Sequence, residues 1–324
     1  MFSYLFRRLF YAVPILLGVM VLTFILFFVV QKPDTMARNV LGKRATPETV
    51  REWLHVRGYD KPRIINTNPG ESFYDSLLLT QLKKLALFDL GVSDVTGREL
   101  KSVFLEGAIP SLLLTVPAFL AGLFMAVGLS LYLVFVRQTA FDIVGTFASI
   151  ALMSLPAMVY IIFGQAVIAL GFNYFPAFGF EFKGISTMKF LLLPVALMVV
   201  MGLGSDVRLY RAIFLEEITH DYVRTAQAKG VSNSRLLLVH VLKNGMIALI
   251  TLVVAHLPLL VMGSLLIENF FGIPGLGNLL VTAIQTSDFA TVRASVYLGS
   301  ILYLIGLAAT DLCYALVDPR IRLS

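Results

Sequence analysis

A single cysteine, Cys313, stands in 324 residues. That excludes an intrachain disulfide and any zinc site built on cysteines. It lies in an apolar run, where a small buried residue is its simplest role. Histidine is almost as scarce: His55, His220, His240 and His256 are scattered, and no two stand at metal-ligand spacing. Charge is scarce as well. Asp, Glu, Lys and Arg make up 14% of the chain and hydrophobic residues 58%, whereas soluble domains are nearer a quarter charged. With a mean hydropathy of +0.84, this composition excludes an ordinary soluble domain and predicts an integral membrane protein with the lipid bilayer as a partner. The net charge of +6 then concerns which side of the membrane holds the basic residues, and no nucleic-acid partner is expected.

Catalytic motifs are missing too. There is no G-x-x-x-x-G-K-[ST]; "GKRAT" at Gly42 has the wrong spacing, so the chain is not expected to hydrolyse ATP. His-Glu-x-x-His and G-x-S-x-G are also absent, which removes the zinc-protease and serine-hydrolase patterns. No catalytic residue, metal ligand or resident cofactor is predicted. His256 is the one histidine well inside an apolar run, and a hydrogen bond to a neighbouring helix explains it. Ionisable residues in these runs are sparse: Asp206 and Arg208 near the end of the fourth, Glu268 at the outer end of the fifth, Asp311 in the sixth. Asp206 and Arg208 are expected to pair with each other, or with Arg211 or Glu216, inside the fourth helix. An ion-coupled secondary transporter acting without an ATPase is the alternative function. It calls for mid-membrane carboxylates and an inverted repeat, and neither is evident.

What is present is a series of six apolar runs: Leu9–Val30, Ser111–Val136, Ile143–Gly171, Phe190–Gly204 with a helical continuation, Met246–Ile267 and Thr291–Val317. All but the fourth reach the ~20 residues that a helix needs to cross hydrocarbon. The fourth does so only by starting near Thr187 or continuing past Asp206. The predicted fold class is therefore an all-α membrane protein with six transmembrane helices. The first run has a basic start but no short apolar core or cleavage site, and reads as a retained span. Pro14, Pro117, Pro156, Pro194 and Pro258 fall inside runs and are read as packing and curvature.

Arg7, Arg8, Arg137, Arg208, Arg211, Arg224, Lys229, Arg235, Lys243, Arg320 and Arg322 fall on one side of this arrangement, against Lys183, Lys189 and Arg293 in the short segments of the other. Both termini are thus expected in the cytoplasm. The chain divides into residues 1–30, N-terminus and first span; 31–110, an external segment; and 111–324, a five-helix core containing a cytoplasmic loop at 219–240. In the external segment "ATPETVREWLHVRG" predicts a helix, with Thr46 as N-cap, Pro47 at the first position and Gly58 as the stop. Val50, Trp53 and Leu54 share its apolar face. A second helix is expected over Phe73–Phe88, with Leu78, Leu82 and Leu85 aligned.

Two short stretches stand out. In "DYVRTAQAKGVSNSR", Asp221 can cap a helix beginning at Tyr222, Gly230 can end it and Ser232 can cap the next. Val223, Ala226 and Gly230 form a small face, while Arg224 and Gln227 lie on another. Such a helix fits a groove on a soluble protein, or simply rests on lipid head groups; it has too few cations for a polybasic lipid site. In "GIPGLGN", Gly272, Pro274, Gly275 and Gly277 allow tight turns. They form a compact turn against the bundle, or an outer gate touching an external protein. "DPRIR" at Asp318 reads as a cytoplasmic anchor.

"DYVRTAQAKGVSNSRLLLVHVLKNG" resembles the cytoplasmic loop of permease subunits of bacterial ATP-binding-cassette importers of the peptide/nickel group, the first of the two permease subunits. "LFRRLFYAVPILLGVMVLTF", "ATPETVREWLHVRGYDKP", "FDLGVSD", "ENFFGIPGLGNLLVTAIQTSDF" and "DLCYALVDPRIR" are similar to other parts of the same family, so the likeness runs along nearly the whole chain. There are departures: Lys32-Pro33-Asp34 stands where Pro-Gly-Asp-Pro is frequent, and Ala248 where Pro is frequent. The resemblance implies a subunit of the bacterial inner membrane that forms half of a pathway for peptides or similar small solutes. It implies a second related permease, cytoplasmic ATPase subunits that hold ATP and Mg, and an external substrate-binding protein. It also implies that Asp221, Tyr222, Val223, Arg224, Thr225, Ala226, Gln227, Ala228, Lys229 and Gly230 couple to the ATPase.

Overall fold

Apolar runs of this length become helices because hydrocarbon offers no partner for a free backbone N–H or C=O. The computed structural model describes residues 2–42, 44–66, 75–172 and 174–317, and among these it is helical with no strand. Helix α1, Phe2–Phe24, continues as a π-helix over Ile25–Val30. Then come α2, Pro33–Leu41; α3, Pro47–Arg57; α4, Leu77–Ala86; and α5, Leu100–Phe135. Next are α6, Ala140–Ser154; α7, Ala157–Phe163, extended by a π-helix over Gly164–Gly171; and α8, Ile185–Glu217. The short α9, Asp221–Ala228, precedes α10, Asn233–Arg235, a π-helix over Leu236–Val241, and α11, Leu242–Met262. The chain closes with α12, Leu265–Phe271; α13, Leu276–Gln285; and α14, Phe289–Val317.

Five of these stretches are long and apolar enough to cross a membrane, and α6 with α7 makes a sixth if the bent pair is one span. The bend is a correction to the simple third run. The two halves meet at 91° because Pro156 begins the second half and holds Leu155 in an extended conformation, φ −86° and ψ 132°. The fourth run gains its length at both ends: α8 is one helix of 33 residues. α5 starts at Leu100, well before the apolar run begins.

α5 and α8 pack along each other, α6 lies against both of them, and α11 packs against α14. Small residues permit the close approach. A Cβ at Gly204 of α8 would meet the Ser149 carbonyl at 2.6 Å and the Met153 nitrogen at 2.9 Å. Arg211 of α8 donates to Asp142 of α6 at 2.7 Å, and both are largely buried. The expected ion pairs within α8 are therefore absent among the described residues. Asp206 and Arg208 are two apart and point to different sides of a helix; Arg208 turns instead to the Met153 sulfur, 3.7 Å away.

The segment between α1 and α5 has its own core, with Val50, Trp53 and Leu54 of α3 against Phe24, Phe28, Met36, Tyr59 and Leu77. α3 has the expected ends: the Thr46 hydroxyl accepts from the Thr49 N–H, and Gly58 is left-handed at φ +68°. α4 is shorter than the expected helix, starting after Ser76, whose hydroxyl accepts from the Leu79 N–H; residues 73 and 74 lie outside the described residues, as does Asp318–Arg322. Thr46→Ala removes one cap at the surface and is expected to lower the stability of this segment by about 1 kcal/mol. Denaturant melts followed on Trp53 fluorescence check this; an unchanged midpoint would contradict the cap.

Candidate functional site

Helix α9 is short, and packing rather than propensity holds it. Val223 is fully buried and Ala226 nearly so, inside a core made by Leu133 and Val134 of α5, Phe214 of α8, and Leu236, Leu237 and Val241 before α11. This corrects the orientation of its small face: Val223 and Ala226 point into this chain and are not available to a partner. Gly230 remains exposed, left-handed at φ +76°. The helix starts one residue earlier than expected, with His220 at the N-cap and no side-chain cap. Asp221, Arg224, Thr225 and Ala228, at i, i+3, i+4 and i+7, form the outward stripe, with Gln227 and Lys229 beside it. The Asp221–Arg224 pair, 3.7 Å apart and fully solvated, adds little. Tyr222 donates to Glu217 and ties α9 back to the end of α8. Partial burial, and then this bond, push its phenol up to about 12.

At the opposite end of α11 the same span continues through Gly263 and Ser264 into α12, and the chain turns after Gly272. Glu268, fully buried, organises the turn. One carboxylate oxygen accepts from the Ser111 hydroxyl at 2.8 Å and the Ser264 N–H at 3.1 Å; the other accepts from the Asn278 N–H at 3.1 Å. Ser111 accepts in turn from the Leu276 N–H at 2.8 Å. Gly275 and Gly277 are small because nothing larger fits: a Cβ on the first would lie 2.4 Å from Glu268, and on the second 2.7 Å from the Ser264 backbone. Gly272 ends α12 in the left-handed region at φ +66°. Pro274 and Gly275 border a surface cleft with Glu106 and Asn278. The turn is thus a compact one locked to α5.

A second buried polar junction joins the loop before α5 to the start of α14. Asp288 accepts from the Ser93 hydroxyl at 2.5 Å, the Asp94 N–H at 3.0 Å and the Thr291 hydroxyl at 2.8 Å. Asp94 accepts from the Ala290 N–H at 2.8 Å and from Arg57 at 3.2 Å. Burial raises the Asp94 carboxyl above its ordinary range, against the pull of Arg293 and the Ala290 N–H. Burial likewise raises the Tyr59 phenol, whose oxygen accepts from Arg293 at 2.6 Å. Arg293 also stacks over Phe28, 4.6 Å from the ring centre.

Between these ends, Asp206 of α8, His256 of α11 and Phe119 of α5 line one cavity of ≈330 Å³. Among the described residues His256 makes no hydrogen bond to a neighbouring helix: its Nδ1 lies 2.8 Å from the Leu252 carbonyl of its own helix. Among the described residues no group of three or more His, Cys, Asp or Glu could hold a metal. Sequence reasoning located Glu268 and Asp206 but not their surroundings. Ser111 and Glu268 are 157 residues apart and Ser93 and Asp288 are 195 apart, and no local pattern links them.

The family model of the binding-protein-dependent transport system inner membrane component matches residues 118–323, and that of the N-terminal part of such membrane components matches residues 1–68. A peptide transport system permease from Brucella abortus (strain 2308), itself given as putative in name, is 27% identical over 325 residues, covering 99% of each chain. A dipeptide transport system permease from Alkalihalophilus pseudofirmus is 24% identical, covering 99% of this chain and 100% of its own. A glutathione transport system permease from Pectobacterium atrosepticum is 29% identical, covering 99% of each chain.

Proposed function

Since the chain belongs to the family of binding-protein-dependent inner membrane components, as an ABC importer permease of the peptide/nickel group, we propose that it carries short peptides and couples through the outer stripe of α9. The observation that carries the coupling is the burial of Val223 and Ala226 in a core shared by α5, α8 and the approach to α11. A force on Asp221, Arg224, Thr225 or Ala228 therefore reaches three spans at once, because a close-packed core transmits strain. Energy enters from a separate ATPase that holds the ATP and Mg, and this chain supplies no catalytic group. The peptide assignment draws on the names of the relatives.

On this reading α9, both termini and the basic short segments lie in the cytoplasm, and α2 to α4 lie outside, where a binding protein delivers substrate. A second related permease completes the pathway, and the Gly272–Gly277 turn sits at its outer mouth. Nucleotide binding draws two ATPases together, moves α9 and tilts α5 and α8. Reconstitution tests the scheme. Proteoliposomes holding both permeases and the binding protein are expected to accumulate tripeptides only when the ATPases and ATP are present. Uptake that persists without the ATPase subunits, or collapses with an ionophore alone, would sink it.

A further inference from the structure

Asp206 is anomalous. It lies within a membrane-spanning helix, half-buried, and makes no hydrogen bond or ion pair with any described residue. The two nearest cations on its own helix are engaged elsewhere: Arg211 with Asp142, and Arg208 with the Met153 sulfur. An ionisable group in a span without a partner marks a ligand or ion path. Its carboxylate faces the ≈330 Å³ cavity between α5, α8 and α11, a volume at the small end of ligand pockets.

Thr115, Tyr210, His256 and Ser264 are the other polar side chains of the cavity lining, and His256 has a defined hydrogen-bonding role. The Leu252 carbonyl can only accept, so His256 Nδ1, 2.8 Å away, carries the proton. In the neutral ring Nε2 is then a lone-pair acceptor. The Phe119 ring stacks on His256 and lines the same cavity, presenting a π face. A carboxylate, an imidazole acceptor and an aromatic face suit a cation with several N–H donors. One carboxylate and one imidazole are too few ligands for a metal.

We propose that this cavity is a subsite of the translocation pathway in which Asp206, with His256 Nε2, holds the ammonium group of the substrate, for a peptide its free amino terminus. The proposal rests on the reading of the chain as a peptide permease, and can be separated from it. Cys313 is the sole cysteine, so Cys313→Ser with Leu259→Cys places one thiol in the cavity wall. In the full complex in proteoliposomes, a cationic and an anionic thiosulfonate of matched size are compared. Asp206→Asn is expected to lower the cationic-to-anionic rate ratio about tenfold, the scale of one charge at short range. Alaninamide is expected to slow labelling when Asp206 is present and not in the Asn variant, while N-acetylalaninamide does neither; Asp206→Glu restores both effects. A ratio and protection unchanged by Asp206→Asn, or a thiol that neither reagent reaches, would overturn the subsite. A complex that takes up no peptide yet keeps Asp206-dependent protection would overturn the peptide reading and leave the ammonium subsite standing.

Discussion

Ala226→Glu is expected to prevent accumulation of folded subunit, while Ala228→Trp, two residues along the same helix, leaves the fold intact and releases the ATPase. The first places a carboxylate where the native side chain is 7% exposed, among Leu133, Phe214 and Leu237. The neighbours that form this cluster are all hydrophobic, and a buried charge without a partner costs about 3–5 kcal/mol. The second lies on the exposed stripe, where a substitution changes stability by about 0.5 kcal/mol or less. Its bulk is instead expected to block the proposed docking surface. A tenfold fall in ATPase co-purification corresponds to about 1.4 kcal/mol of binding, and at least that is expected. Lys183→Ala, far along the chain in the segment before α8, should leave both readouts unchanged. Gly230→Trp is a poorer probe because φ +76° strains any side chain there. Native folding and full association in both Ala226→Glu and Ala228→Trp would refute the buried-and-outer division of α9.

Glu268→Ala is expected to melt the complex earliest of the substitutions on the opposite end of the bundle. It leaves the Ser111 hydroxyl and the Ser264 and Asn278 N–H groups without their acceptor. Each unsatisfied buried donor costs about 1–3 kcal/mol, so the loss should be about 4 kcal/mol. Glu268→Gln keeps one acceptor oxygen but turns an NH₂ toward a donor, and about half the loss is expected. Ser111→Ala alone should cost about 1–2 kcal/mol, and the double variant less than the sum, because the two share one network. Thermal midpoints of the detergent-purified complex check the series. An Ala variant melting with the wild type, or strict additivity with Ser111→Ala, would show that the turn does not depend on this carboxylate.

The sequence on its own carried most of the architecture, and for a physical reason. Lipid admits few backbone solutions, so apolar runs such as Leu9–Val30 and Thr291–Val317 translate almost directly into α1 with its π extension and α14. Caps are equally local: Thr46 and Gly58 bound α3 through bonds that reach only three or four residues. The short α9 was legible at its far end, where Gly230 turns left-handed, but not at its start, where His220 and not Asp221 stands at the N-cap and no side chain caps it. What it did not disclose was direction. Val223 and Ala226 make a small face in any helix, but only the arrival of α5, α8 and Leu236–Val241 from elsewhere in the chain turned that face inward. The 91° break at Pro156 needed tertiary context too, since a proline in a span can bend it slightly or divide it depending on its neighbours. Charge partners were the least legible. Asp206 and Arg208 had partners within reach along α8, in each other, Arg211 or Glu216, but Asp142 from α6 holds Arg211, Arg208 turns to Met153 and Asp206 faces the cavity. Periodicity is a property of neighbours in sequence and was readable. Pairing across helices depends on which distant surfaces meet, and only the tertiary structure decided that.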